Sequence, residues 1–228
     1  MVTAKAYKGL PMEGMIATWY ARNTGRDTRR FTDTARNVAE RVRPGGDVLE
    51  VAPGPGYLAI EMAKRGYTVT ALDISKAFVR IARENAATHG VVVDVQHGNA
   101  SAMPLADASF DFVVCMAAFK NFTNPIGAIN EMHRVLRPGG QASIFDLRKD
   151  ASLPDIAAEV RGMHLAAWNA LLTRFIFRHG LLRAAYTREQ LERMAAESRF
   201  GCCEIEPRGI GLELRLTKDS QGGHVVDK

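Results

Sequence analysis

Five short apolar runs alternate with helix-length segments between residues 47 and 147. They read DVLEVA (47–52), YTVTALD (67–73), VVVDVQ (91–96), FDFVVCM (110–116) and QASIFDL (141–147). Each is nearly continuous in apolar character, as strands covered on both faces are. Between them YLAIEMAKRG (57–66), SKAFVRIARENAATHG (75–90) and PIGAINEMHRVLRPGG (125–140) read as helices, with Gly66, Gly90 and Gly139 as stop signals. Strand–helix alternation of this kind predicts an α/β fold, a doubly wound and mostly parallel sheet. The late runs CEIEP and IGLELRL read as a closing strand pair, which brings the expected sheet to seven strands.

The flanks predict a single domain over residues 1–218. Residues 1–43 read as an N-terminal helical lid, 44–147 as the core, 151–200 as a helical cap inserted before the last two strands, and 201–218 as those strands. Residues 219–228 form a tail without periodicity and are expected to be disordered. The cap carries an apolar stripe, Val160, Met163, Ala167, Leu171 and Phe175, at steps of three and four. Thr187 with Gln190 three residues on reads as a capping box.

Composition removes several classes. The 30 Lys+Arg against 25 Asp+Glu leave a net charge of only +5. The densest basic cluster, Arg22, Arg26, Arg29 and Arg30, has helical spacing and reads as a solvated face, so no nucleic-acid partner is expected. No apolar run approaches the roughly 18 residues of a membrane helix, and no signal-peptide stretch opens the chain. A cytoplasmic protein without membrane insertion is expected, and a homodimer is left open. Cys115, Cys202 and Cys203 make neither a disulfide framework nor a zinc motif, and no metal is expected.

The turn after the first strand, VLEVAPGPGYLA (48–59), carries the chemistry. A triphosphate loop needs GxxxxGK[ST], and Gly56 is followed by Tyr57 and Leu58. Gly54-Pro55-Gly56-Tyr57-Leu58-Ala59 does fit the dinucleotide form GxGxxA, with Asp73 placed to meet ribose hydroxyls. Two features weigh against a dinucleotide. Glu50 on the strand would repel a pyrophosphate and suits a cationic or amino group. No Tyr-x-x-x-Lys pair for hydride transfer follows.

VLEVAPGPG, VTALDIS, GNASAMPLADASFDFVVC and EMHRVLRPGG together resemble the consecutive motifs of class I S-adenosylmethionine-dependent methyltransferases, over about residues 45–147. The stretch AAFKNFTNPIGAINEMHRVLRPGG is similar to the ubiquinone/menaquinone-biosynthesis branch of the type 11 methyltransferases. The resemblance implies a Rossmann-like methyltransferase fold, with S-adenosylmethionine as cofactor and S-adenosylhomocysteine as product. It places Glu50, Ala52, Gly54 and Gly56 along the methionine part, Asp73 on the ribose, and Ile74, Asn99 and Ala100 on the adenine. The backbone at Cys115 and Met116 would approach the cofactor's amino group. Ala52 stands where that family usually has glycine, and Asn99 where it usually has an acidic residue.

Methyl transfer from a sulfonium is an in-line displacement, helped chiefly by positioning and a dry, apolar wall. Tyr20 and Trp19 on the first helix are expected as lid residues, and Trp168 on the cap helix as a further substrate contact. His164, the one histidine inside the apolar stripe, is a candidate base, with Tyr20 and Asp146 as the other catalytic candidates. Phe119, Lys120, Asn121 and Arg148, at the ends of the fourth and fifth strands, are candidates for binding a small-molecule methyl acceptor. The alternatives are a nucleic-acid methyltransferase, a non-catalytic S-adenosylmethionine-binding protein and an NAD-dependent oxidoreductase.

Overall fold

The structure, a computed structural model, describes residues 7–8, 13–24, 28–162 and 181–220. The elements run α1 (Gly14–Thr24), α2 (Arg29–Ala39), β1 (Asp47–Val51), α3 (Tyr57–Lys64), β2 (Thr68–Asp73), α4 (Lys76–Thr88), β3 (Asp94–His97) and β4 (Phe110–Met116). They continue with α5 (Pro125–Val135), β5 (Leu136–Leu147), α6 (Leu153–Gly162), α7 (Arg188–Glu197), β6 (Glu204–Arg208) and β7 (Gly211–Thr217). The seven strands stand in the order β3-β2-β1-β4-β5-β7-β6. All neighbours are parallel except β5–β7 and β7–β6, which pair antiparallel and close the sheet with one hairpin.

Both faces of the sheet are covered, which is why its strands read as unbroken apolar runs. Leu49, Val51, Val113, Cys115 and Ile144 pack with Ile129, Met132, Leu191 and Ala195 of α5 and α7. Val48, Phe112 and Val114 pack on the opposite side with Val38, Leu58, Met62 and Val79 of α2, α3 and α4. On that second side β7 carries a fully buried carboxylate, Glu213. Arg41, two residues past the end of α2, donates to it at 2.7 Å and to Ser143 Oγ at 2.9 Å. Burial works to raise the Glu213 carboxyl, but Arg215, Arg41 and Ser143 together hold it below the usual carboxylate range. The pairing pins α2, and with it the start of the core, to the sheet.

Helix ends follow local chemistry. Ser75 Oγ accepts from the Phe78 amide at 3.1 Å to cap α4, and Asn124 caps α5 ahead of Pro125 at its first turn. The Thr187–Gln190 capping box closes in both directions, at 2.9 and 3.3 Å. One expected stop is misplaced. The helix read as 125–140 ends at Val135, and Leu136 is already extended, with φ −70° and ψ 141°. Pro138 cannot continue a helix. Gly139 turns at φ 77°, and Gly140 passes so close that a Cβ there would stand 2.9 Å from the Arg137 carbonyl. RPGG is therefore the irregular start of β5, where its register against β4 shifts, and not the end of α5. Of the expected cap, residues 163–180 lie outside the described residues, as do tail residues 221–228. Among the described residues no helix is long and apolar enough to cross a membrane.

Candidate functional site

The strand order reverses between β1 and β4. In open α/β sheets that reversal opens a crevice at the carboxyl ends of the strands. The residues gathered there are the turn after β1, the end of β2, the segment after β4 and the end of β5.

The turn after β1 is built on left-handed backbone. Ala52, Gly54 and Gly56 have φ of 56°, 55° and 81°. Gly56 caps α3, and a Cβ on it would meet Ala82 Cβ at 3.0 Å. Glycine here thus serves both the turn and the close packing of α3 on α4. At Ala52 an L-residue holds a conformation that costs roughly 1–2 kcal/mol, the physical reason glycine is the commoner choice. The turn is also tied to β2. Asp73 accepts from the Gly54 amide at 3.0 Å and from the Ser75 amide at 2.8 Å. Asp73 is therefore at once the ribose candidate and the brace of the glycine turn.

Two carboxyls sit under this turn. Glu50 is 3% exposed, and its Oε2 has no hydrogen-bond partner among the described residues. Burial pushes its pKa to about 8, against the opposing pull of the Ala59 amide, with Asp73 adding repulsion. Asp73 is 5% exposed; burial lifts it to about 6, while the Ser75 and Gly54 amides pull it down. An unpartnered buried carboxyl oxygen beneath a glycine turn fits a ligand group that brings a positive charge and its own donors. That is the character of an adenosyl sulfonium with an amino-acid end, and it does not suit a pyrophosphate.

Around this centre the adenine candidates divide. Ile74 is 39% exposed beside Asp73. Asn99 turns its Oδ1 onto the Ser101 amide at 2.9 Å, which takes one lone pair of the oxygen expected to meet the adenine. Ala100 packs against the core, Cys115 is wholly buried, and Met116 packs on the opposite face. From β4 the backbone turns at Ala117, whose φ is 59° and whose amide donates to the Phe145 carbonyl at 2.7 Å.

The lid candidates part company. Tyr20 meets Phe78 edge to face at 5.9 Å, and its Cε1 lies 4.0 Å from where a Cβ on Gly54 would stand. It lies over the glycine turn. Trp19 is 67% exposed. Helix α1 is held in place by the Tyr57 hydroxyl donating to the Ala21 carbonyl at 3.1 Å and by Glu13 accepting from the Ala77 amide at 3.1 Å.

Several acceptor-side candidates are occupied with the protein itself. Phe119 lies within the core, against Phe122 and Tyr186, so it cannot line an acceptor cavity. Arg148 is paired with Asp155 at 2.6 Å and donates to the Gly209 carbonyl at 3.0 Å, which makes it a tie between α6 and the β6–β7 turn. Asp146 accepts from Lys120 Nζ at 2.8 Å and from the amides of Lys120 and Leu147 at 2.9 and 2.8 Å. Three donors engage this carboxylate, and it holds Lys120 in position. Asn121 offers its carbonyl to the Lys8 amide. His164 and Trp168 lie outside the described residues.

Tyr7, Lys8, Glu13 and Tyr186 also reach this region and escaped the sequence reading. Tyr7 and Lys8 sit in a short stretch without periodicity, and Tyr186 is a lone aromatic before a capping box. Only Glu13, at the mouth of a helix, bore a local signal. Elsewhere, a groove of about 400 Å³ lined by Lys76, Arg80, Arg83 and His97 opens beside α4. Arg80 is already paired with Glu84, and Arg83 with the Val95 carbonyl, so strand topology and the buried carboxyls locate the site better than that groove does. Among the described residues no cluster of His, Cys, Asp or Glu could hold a metal.

Comparison with known proteins agrees with this geometry. A family model described as a methyltransferase domain matches residues 49–144. The ubiquinone/menaquinone biosynthesis C-methyltransferase UbiE of Hydrogenovibrio crunogenus is 38% identical over 113 residues, covering 47% of this chain and 44% of that protein. Its counterpart from Cupriavidus pinatubonensis is 34% identical over 143 residues, covering 61% and 57%. The chain thus spans about half the length of the curated relatives it matches. Among solved structures, a Methanococcus maripaludis protein assigned as an S-adenosyl-L-methionine-dependent methyltransferase superposes with a TM-score of 0.72 at 20% identity, over 96% of this chain and 99% of that one. A SAM-dependent methyltransferase from Aquifex aeolicus gives 0.61 at 16% identity, over 84% and 98%. The fold is that of the class I methyltransferases, and the family match implies S-adenosylmethionine as the cofactor.

Proposed function

We propose that this chain, which carries a class I S-adenosylmethionine-dependent methyltransferase domain of the UbiE-like branch, transfers a methyl group to a nucleophilic oxygen, nitrogen or carbon of a small molecule. The observation that carries this reading is the pair of buried carboxyls, Glu50 and Asp73, beneath a glycine turn at the strand-order reversal. When bound, S-adenosylmethionine supplies an activated methyl: the sulfur–methyl bond breaks as the bond to the acceptor forms, the electron pair stays on sulfur, and the acceptor's proton goes to water.

Glu50 Oε2 would meet the positive end of the amino-acid part, the side-chain-free turn at Gly54 and Gly56 would let that part lie close to the backbone, and Asp73 would meet the sugar hydroxyls. Tyr20 closes over the turn and keeps water from it. Lys120, held by Asp146, brings a cation to the acceptor side. Drying the crevice favours a reaction in which a positive charge disperses. Relatives named for ubiquinone/menaquinone biosynthesis support a small-molecule acceptor over a polymer. The test is transfer of label from methyl-labelled S-adenosylmethionine to a panel of phenols, quinols and amines, with tRNA as a further arm. Label on a small molecule supports the reading. Label on the RNA alone, or on nothing by protein that binds the cofactor, would overturn it.

A further inference from the structure

Helix α1 has two unlike faces. Ala17 and Ala21 are buried against Phe78 and Ile81 of α4. Met15 and Trp19, about one turn apart, lie on the opposite side of the helix and are 89% and 67% exposed. Exposed apolar side chains scattered singly need no account, but neighbouring ones on a surface mark an interaction site. Here two large ones adjoin on a helix whose core contacts are already made.

Cations stand at both ends of this apolar stripe. At its start, Glu13 accepts from the Ala77 amide at 3.1 Å, which sets the mouth of α1 against the first turn of α4, beside exposed Ile74 and Lys76. Lys76, Arg80 and Arg83 follow at steps of four and three along α4, and with His97 they line the groove of about 400 Å³ described above. At its end, the Tyr57 hydroxyl donates to the Ala21 carbonyl, and the Tyr57 ring lies 5.4 Å from that of Phe31. The last turns of α1 and the first turn of α2 therefore meet on one residue, and exposed Arg29 and Arg30 belong to that first turn. The carboxylates among these residues are engaged, Glu13 on the Ala77 amide and Glu84 on Arg80 at 2.7 Å.

We propose that this face seats the protein on a negatively charged lipid surface, with Met15 and Trp19 entering the boundary between headgroups and acyl chains while Arg29, Arg30, Lys76 and Arg80 meet lipid phosphates. The inference is independent of the methyl-transfer reading. A helix with an exposed tryptophan between cationic ends has the chemistry of interfacial binding: the apolar side chains leave water, and the cations are drawn to anionic headgroups. The net charge of +5 acts in the same direction. A second copy of the chain fits this face less well. A two-fold contact sets a patch on itself, and with cations at both ends of the stripe either helix direction brings like charges together. A nucleic acid would satisfy the cations and leave Met15 in water.

The experiment is co-sedimentation of the full chain with vesicles of phosphatidylcholine alone and of phosphatidylcholine with about one-third phosphatidylglycerol. The anionic vesicles should bind about tenfold more tightly or better, and the binding should weaken as salt rises from about 50 to about 500 mM. Met15→Ser with Trp19→Ser should weaken it about tenfold by removing the inserted side chains. Lys76→Glu with Arg80→Glu should weaken it by about fivefold or more per cation. All four positions are exposed, and an acidic residue in the first turn of α4 suits the helix dipole; thermal unfolding of each variant within about 2 °C of wild type checks that the fold is kept. A wild type that stays in the supernatant with anionic vesicles would overturn the proposal, as would equal binding to both vesicles or full binding by the folded Met15→Ser, Trp19→Ser variant. Retention of an RNA oligonucleotide by protein that ignores vesicles would overturn it too. So would a dimer in sedimentation velocity that the same double variant dissolves, because the face would then belong to a second copy.

Discussion

Glu50→Gln separates the electrostatic role of this buried carboxyl from its shape. In the ligand-free protein the Glu50 pKa stands at about 8 against an ordinary 4.5. The folded state therefore holds the proton more tightly than the unfolded chain does. The sign follows: the Glu50 contribution to folding stability is fully present below pH 4.5 and is lost as pH rises through 8, by about 5 kcal/mol over the whole window. Asp73, raised from 3.8 to about 6, adds a loss in the same direction between those two values. Glutamine cannot ionise, so the variant escapes the larger loss. Urea denaturation at pH 5.5 and 8.5 should show wild type and variant close at the lower pH, and the variant the more stable by several kcal/mol at the higher.

Ligand binding runs the other way. A cationic ligand stabilises the ionised Glu50, so at pH 7 uptake should expel close to one proton. Calorimetry in two buffers of different ionisation enthalpy reads that number directly. Between pH 6 and 7.5, where an α-ammonium remains mostly protonated, wild-type affinity for S-adenosylhomocysteine should rise nearly tenfold per pH unit. Glu50→Gln should bind at least tenfold more weakly at pH 7.5 and release no proton. A wild type that releases no proton, or whose stability tracks the variant's at both pH values, would refute the reasoning.

Two further substitutions test the turn and the acceptor wall. Ala52→Gly relieves a left-handed residue at a strain of roughly 1–2 kcal/mol and adds roughly 0.5–1 kcal/mol of unfolded-state entropy, so chemical denaturation should show a net gain of about 0.5–1 kcal/mol; a loss would mean the methyl's packing against the core outweighs the strain. Lys120→Met leaves Asp146 as a carboxylate 7% exposed without its cation, a change expected to cost about 3–5 kcal/mol in urea denaturation; adding Asp146→Leu should recover part of that, and strictly additive effects of the two substitutions would count against a coupled pair.

Much of the core was legible because its signals are local. Parallel strands buried on both faces announce themselves as apolar runs, and Phe110–Met116 and Thr68–Asp73 lie almost where those runs place them. The glycine turn was legible because left-handed backbone selects residue type at Gly54 and Gly56. Gly139 misled for the same reason: a glycine marks a turn, but not which element it belongs to, and the tight passage of Gly140 past the Asp111 carbonyl is a tertiary fact. The acceptor side was the least legible. Asp146, Arg148 and Phe119 were identified from their place at strand ends, but what each side chain is spent on depends on distant partners: the Lys120 amide and ammonium, the Gly209 carbonyl and the Tyr186 ring. Tyr7 was invisible because a single aromatic residue outside any periodic segment has no pattern to betray it.

The central claim is that the edge between β1 and β4 takes an adenosyl-sulfur ligand in preference to a dinucleotide. Calorimetric titration of the full chain with S-adenosylhomocysteine, and separately with NAD under the same conditions, tests it most directly. Saturable one-to-one uptake of S-adenosylhomocysteine with no heat from NAD is the predicted result; uptake of NAD by folded protein that ignores S-adenosylhomocysteine would contradict it.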